Sequence, residues 1–164
     1  MRYLLFGGAP STGKTSAIYR LAIILTTRAI NPFIIVAGSI SLPPPFGKTP
    51  NDFKVLLEGV DIKGKKTYIL INSATDDKYN IDLLKDFYNN QQHIDIIISS
   101  VRDIYWKRKY FFETMKILLE DDFYLEIPLA KITRRNDHAL ALNWYNHTLD
   151  TLGIHILSNT PFNL

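Results

Sequence analysis

The chain has 164 residues, of which 46% are apolar and 21% charged, and its formal net charge is +3. These values predict one globular domain over residues 1–164 and argue against a disordered chain. The chain contains no cysteine, which excludes disulfides, a thiolate nucleophile and a cysteine-based zinc site. We expect a cytoplasmic protein without a membrane partner, because no apolar run approaches a membrane span and the N-terminus lacks the layout of a signal peptide.

The first elements predicted are a strand, a glycine-containing loop and a helix. Residues 2–7, with the apolar run Tyr3-Leu4-Leu5-Phe6, predict the strand, and apolar residues recur at helical spacing from about residue 14 to residue 28. Between them the sequence reads Gly8-Ala9-Pro10-Ser11-Thr12-Gly13-Lys14-Thr15, followed by Ser16. In such a loop successive backbone N–H groups form a concave nest for phosphate oxygens, and the helix N-terminus adds a partial positive charge. The pattern therefore predicts a phosphate site over residues 8–16.

At this loop the chain resembles the P-loop NTPase superfamily, whose motif requires the two glycines, the lysine and the following threonine. The resemblance implies that residues 8–16 bind the phosphates of a nucleoside triphosphate. It implies that Lys14 reaches the β- and γ-phosphates and that the Thr15 hydroxyl holds Mg²⁺. ATP, or another nucleoside triphosphate, and Mg²⁺ are thus the expected ligands.

Residues 33–36 predict a second strand, and residues 38–52, rich in proline, serine and glycine, predict a loop. Three consecutive prolines favour a stiff, extended segment. This segment is either a rigid connection or a nucleotide-sensing segment that brings Lys48 or Thr49 near the phosphates.

Residues 53–62 and 66–72 flank Lys63-Gly64-Lys65 and predict a β-hairpin, hence one antiparallel strand. The hairpin ends at Asn72, where the P-loop resemblance implies an acidic residue for Mg²⁺. Asp76 and Asp77 follow four and five residues later. Asp76 is our candidate second magnesium ligand, acting through a water, although both residues are also suitable N-caps for the next helix.

The chain continues with a predicted helix at 80–90, a buried strand at 94–98 and a helix at 104–120. Arg102 and Asp103 follow that strand, at the edge where α/β sheets bind ligands. The first half of the 104–120 helix is basic and aromatic, which fits a packed and solvated helix, a phosphate clamp formed by Arg102 and Arg108, or a nucleic-acid surface.

Residues 123–128 predict a strand, and residues 131–137 a polar loop in which Arg134 or Arg135 stacks on a nucleotide base or is simply solvated. The last helix is predicted to stop at Gly153, before a short strand at 154–157. The four histidines share no metal-ligand spacing.

Strands and helices alternate, which predicts an α/β fold with three layers and a mostly parallel sheet. The size and the loop favour a small ATP-dependent kinase acting on a small molecule or a nucleotide. Its catalytic candidates are Lys14, Asp76, Asp103, Arg102 and Arg108, with Thr15 and Asp76 as metal ligands. We favour ATP because no guanine-reading Asn-Lys-x-Asp motif is present. The alternative is a GTPase-like or ATPase switch that signals to a protein partner through residues 38–52.

Overall fold

A computed structural model describes residues 1–27, 32–38, 51–118, 120–132 and 138–164. Within these ranges the chain forms strands and helices in alternation, which confirms the α/β class. The strands are β1 (Arg2–Gly8), β2 (Ile34–Gly38), β3 (Lys54–Val60), β4 (Lys66–Asn72), β5 (Ile96–Arg102) and β6 (Phe123–Pro128). The helices are α1 (Lys14–Thr27), α2 (Lys78–Asn89), α3 (Tyr105–Met115) and α4 (His138–Leu157).

The described strands form one six-stranded sheet in the order β2-β3-β4-β5-β1-β6. Strand β3 runs antiparallel to both neighbours, whereas β5 pairs parallel with β4 and with β1, and β1 pairs parallel with β6. The sheet is therefore mixed, and the prediction of a mostly parallel sheet is wrong. The reason is that the reversed hairpin strand lies inside the sheet, so a single reversal produces two antiparallel pairs.

The hairpin itself is confirmed, and its turn lies where the glycine predicts it. The Asp61 carboxylate accepts hydrogen bonds from the backbone N–H groups of Lys63 and Lys65 at 2.8 and 2.9 Å. Gly64 has a φ of +76°, which glycine adopts without a steric penalty. These contacts fix the register in which Lys54 pairs with Asn72.

Helices cover both faces of the sheet. On one face α1 and α4 pack against alternate strand residues such as Leu4 and Ile98. On the other face α2 and α3 pack against the intervening residues, among them Leu5 and Ile97. Each fully buried side chain of this size contributes about 1.5–3 kcal/mol relative to exposure, so both faces stabilise the sheet. None of the described helices is long and apolar enough to span a bilayer.

The C-terminal helix departs from the sequence prediction. Helix α4 continues to Leu157, so the predicted stop at Gly153 and the strand at 154–157 are wrong. Gly153 is buried within the helix, and a Cβ there would lie 3.2 Å from a methyl group of Leu21. The glycine thus allows α4 to approach α1 closely, which is a packing role. Helix α3 is shorter than predicted because Lys116, with a φ of +55°, ends it in the left-handed conformation.

Candidate functional site

The predicted phosphate loop joins the end of β1 to the start of α1. We call residues 8–13 the glycine loop. Ser11 and Gly13 both have positive φ, at +61° and +81°, and no atom lies within 4 Å of the position that a Cβ on Gly13 would take. The Thr12 hydroxyl closes the loop by donating to the Ala9 carbonyl at 2.9 Å. The first turn of α1 carries no acidic residue, so no side chain of that turn neutralises the partial positive charge of its N-terminus.

Lys14 is held over this loop. The residue is 7% exposed, and its ammonium group donates to the carbonyls of Gly8 and Ala9 at 2.8 and 2.7 Å. Burial lowers the pKa of Lys14, and the charge of Arg102 lowers this pKa further. The carboxylates of Asp76, Asp103 and Asp52 oppose the shift. One lysine, one arginine and three carboxylates therefore lie within electrostatic range of one another.

Thr15, the second residue of α1, contacts a carboxylate that the sequence analysis did not select. Its hydroxyl donates to Oδ1 of Asp52 at 2.9 Å. The Ser73 hydroxyl lies 3.4 Å from the same oxygen and accepts the Phe53 backbone N–H at 2.9 Å. Ser73 also donates its own backbone N–H to the Phe53 carbonyl at 3.0 Å, which ties the end of β4 to the chain before β3. The pairing of these two strand ends positions Asp52 beside Thr15.

Arg102 ends β5 directly opposite Gly8 of β1. The residue is 9% exposed, and its Nη2 lies 2.5 Å from the Asp76 carboxylate. Its Nε and Nη1 are buried and have no hydrogen-bond partner among the described residues. Asp76 is itself fixed, because its carbonyl accepts a hydrogen bond from the Lys107 ammonium. Two unsatisfied donors on a buried cation beside the glycine loop are the feature of this site most suited to an anion.

Arg108, the other predicted arginine, has a carboxylate partner. Its guanidinium makes a bidentate pair with Glu126 of β6, one contact of which is 2.9 Å. This hydrogen bond raises the pKa of Arg108. The Glu126 carboxylate lies against the backbone of Gly7, where a Cβ would be 1.9 Å from Oε1. The pair thus packs over the end of β1, and the charge of Arg108 is compensated there.

Three further residues named from the sequence lie at or next to the ends of β4, β5 and α2. Asp103 is exposed at the end of β5. Asp77 is the N-cap of α2 and accepts the Asn80 backbone N–H at 2.9 Å. Asn72 is fully buried, and its amide donates to the Ala74 carbonyl and the Ser99 hydroxyl at 2.9 and 3.2 Å. Lys48, Thr49, Arg134 and Arg135 lie outside the described residues.

One cavity adjoins the glycine loop, and another adjoins Asp52. The first, of about 270 Å³, lies between the loop and α4 and is lined in part by Thr12, Ser16, Ile132 and Tyr145. The Tyr145 hydroxyl accepts the Ala130 backbone N–H at 2.8 Å, which holds the ring in place. The second, of about 240 Å³, is lined by seven residues near the starts of β3 and α2: Gly38, Asp52, Phe53, Lys54, Ala74, Asn80 and Phe87. Asp52 therefore lines this second cavity and also contacts α1.

Among the described residues no group of three or more histidine, aspartate or glutamate side chains forms a metal cage. Mg²⁺ does not require one, because it is usually bound by one or two carboxylates together with substrate phosphates and waters. The Thr15 hydroxyl and a neighbouring carboxylate fit that description. Comparisons of the chain with protein-family models, curated proteins and solved structures found no match.

Proposed function

We propose that this protein is a Mg²⁺-dependent nucleoside triphosphate-binding protein, most suited to ATP, that transfers a phosphoryl group to a small molecule or a nucleotide. The observation that carries the proposal is the buried Arg102 opposite Gly8, with two donors that have no partner among the described residues. A buried polar group without a partner costs about 1–3 kcal/mol, and a bound phosphate would remove that cost. Lys14 and the N-terminus of α1 lie at the same place.

Each group has a distinct role in this proposal. The backbone of the glycine loop and Lys14 bind the β- and γ-phosphates. Arg102 supplies positive charge at the transferred phosphoryl group, which is where phosphoryl transfer gains most from a protein. Asp76 holds Arg102 in position through its ion pair. When bound between Thr15 and the phosphates, Mg²⁺ would neutralise phosphate charge.

The cavity of about 270 Å³ suits a nucleobase, because it adjoins the glycine loop and has apolar and aromatic walls. The absence of a guanine-reading motif in the sequence favours adenine. The cavity of about 240 Å³ at Asp52 suits a small phosphoryl acceptor.

In the reaction, an acceptor oxygen forms a bond to the γ-phosphorus while the bond from that phosphorus to the β–γ bridging oxygen breaks. ADP leaves with that electron pair, and the acceptor proton passes to a carboxylate. Asp103 is our candidate for that carboxylate, because it is exposed at the same edge and acts electrostatically on Lys14. Catalysis would then rest on positioning and charge, without a covalent intermediate.

Phosphorus NMR of ATP incubated with Mg²⁺, the protein and one acceptor at a time tests this proposal. The panel contains nucleoside monophosphates, nucleosides and sugars. A kinase converts ATP to ADP rapidly with one acceptor class and produces a new phosphate ester from a nucleoside or sugar, or a new phosphoanhydride from a nucleoside monophosphate. If ATP binds but no acceptor accelerates its loss, phosphoryl transfer is refuted. Nucleotide-dependent protease protection of residues 38–52 would then support the alternative, a switch, because Asp52 joins that segment to Thr15.

A further inference from the structure

We infer that Asp52, from the chain that precedes β3, is the carboxylate that holds Mg²⁺ together with Thr15. The inference rests on the proposed function and names the acid that the sequence lacks at Asn72. It differs from the sequence prediction, which placed the magnesium carboxylate at Asp76.

The position of Asp52 supports the assignment. Its Oδ1 accepts the Thr15 hydroxyl at 2.9 Å, so the two oxygen ligands are already adjacent. The Ser73 hydroxyl lies 3.4 Å from the same oxygen, and the backbone pair between Ser73 and Phe53 fixes the chain next to it. Carboxylate and hydroxyl oxygens are hard ligands of the kind Mg²⁺ prefers.

A second and independent observation indicates that an anion belongs here. Arg102 is more than nine-tenths buried, its Nε and Nη1 have no partner among the described residues, and its charge acts on Lys14. Asp52 acts on the same ammonium with the opposite sign. A phosphate bound by Lys14 and Arg102 would therefore lie within electrostatic range of Asp52, where a cation is needed between the two negative groups.

Asn72 and Asp76, the two other candidates for the Mg²⁺ ligand, are less suitable than Asp52. Asn72 is fully buried, and its amide nitrogen already donates to Ala74 and Ser99. Its Oδ1 has no hydrogen-bond partner among the described residues, but a neutral amide oxygen attracts Mg²⁺ less strongly than a carboxylate does. Asp76 forms the ion pair with Arg102 at 2.5 Å, and moving its carboxylate to a metal would leave that buried arginine without its partner. Removing the carboxylate leaves a buried positive charge uncompensated, which is costly, whereas removing Arg102 leaves only a carboxylate that water can solvate.

The test measures ATP affinity by calorimetry in Mg²⁺ and again in EDTA, for wild type and for Asp52→Asn, Asp76→Asn and Asp86→Asn. The asparagine at 52 keeps an oxygen that accepts the Thr15 hydroxyl, so the fold should be retained. Asp86 is an exposed acid on α2 and controls for the loss of one negative charge. Thermal unfolding of each variant without ligand confirms folding.

We expect Mg²⁺ to tighten ATP binding to the wild type and to the Asp86 variant. In Asp52→Asn this gain should fall by about 10- to 100-fold, the usual effect of disturbing a metal site. Its affinity in EDTA should equal or exceed that of the wild type, since a negative charge near the phosphates has been removed. An unchanged gain in Asp52→Asn, or a loss confined to Asp76→Asn, would overturn the inference and leave nucleotide binding intact. Absence of ATP binding to the wild type in both conditions would overturn the proposed function as well.

Discussion

Replacing Arg102 with methionine should make the protein more stable and a poorer nucleotide binder. Methionine has a similar length and reaches the same space without charge. In the ligand-free protein Arg102 buries two N–H donors that have no partner among the described residues. Each such donor costs about 1–3 kcal/mol, and the substitution removes both. The variant also loses the ion pair with Asp76, but that carboxylate is 47% exposed and regains water.

The two effects can be compared in magnitude. An ion pair with one well-solvated partner contributes about 0–1 kcal/mol, which is less than the cost of the two donors. We therefore expect a net stabilisation of at least about 1 kcal/mol, with roughly 2–4 °C in melting temperature for each kcal/mol in a chain of this size. For ATP binding the substitution is unfavourable, because the variant loses the hydrogen bond from Arg102 to the phosphate. A hydrogen bond to a charged group contributes about 1.5–3 kcal/mol, so the dissociation constant of ATP should rise at least about tenfold.

Urea denaturation of the ligand-free protein and calorimetric titration with MgATP measure the two quantities. Lys109→Met is the matched control, because Lys109 is an exposed cation on α3 whose ion-pair partner among the described residues is Glu113, at 3.7 Å. It should change stability by less than about 0.5 kcal/mol and leave affinity unchanged. A ligand-free Arg102→Met protein that is less stable than wild type, with unchanged ATP affinity, would refute the argument that Arg102 awaits an anion.

Two further predictions concern the base cavity and a buried acid. Asn146→Trp fills the cavity of about 270 Å³ and should weaken ATP binding in calorimetry while leaving inorganic triphosphate binding unchanged. Asn143→Trp, at an exposed position of α4, should affect neither ligand, and equal losses for both ligands in Asn146→Trp would contradict the assignment of the cavity. Burial acts to raise the pKa of Asp95, but hydrogen bonds from Tyr68 and His93 outweigh it and hold the pKa below the ordinary value of 3.8. The ionised Asp95 carboxylate therefore stabilises the fold above pH 3.8, and this contribution is lost as the pH falls through the lower folded-state pKa. In urea denaturation, the difference in unfolding free energy between wild type and Asp95→Asn should become smaller in acid. A difference that does not change with pH would contradict this.

Local sequence signals predicted the features that local geometry determines. The glycine loop depends on backbone angles at Gly8 and Gly13 that few other residues adopt, so its position could be read directly. The position of the hairpin turn could be predicted in the same way from Lys63-Gly64-Lys65, because Gly64 has a backbone angle that few other residues adopt. Sequence reasoning also located Lys14, Thr15 and Arg102 beside the loop, because residues that follow parallel strands gather at one edge of a sheet.

The wrong predictions, for the end of α4 and for the sheet, concern features that depend on tertiary packing. Gly153 is a typical helix stop by composition, but it allows α4 to contact Leu21, and that contact extends the helix. The position of β3 inside the sheet follows from its pairing with β2, which no local pattern specifies.

Asp52 was missed because its partner Thr15 is 37 residues away and because the residue ends a segment that the sequence predicts as a loop. The only available signal was an acid directly before a strand. The partner of Arg108 was missed for a similar reason, since Glu126 is 18 residues distant and on another strand.

Calorimetric titration of MgATP into wild type and Lys14→Ala tests the central claim most directly. Among the described residues, the Lys14 ammonium donates only to the loop carbonyls of Gly8 and Ala9, so its removal should leave the fold intact. We predict that wild type binds MgATP and that Lys14→Ala, with an unchanged circular dichroism spectrum, loses detectable binding. If Lys14→Ala binds MgATP as tightly as wild type, the glycine loop is not a nucleotide phosphate site.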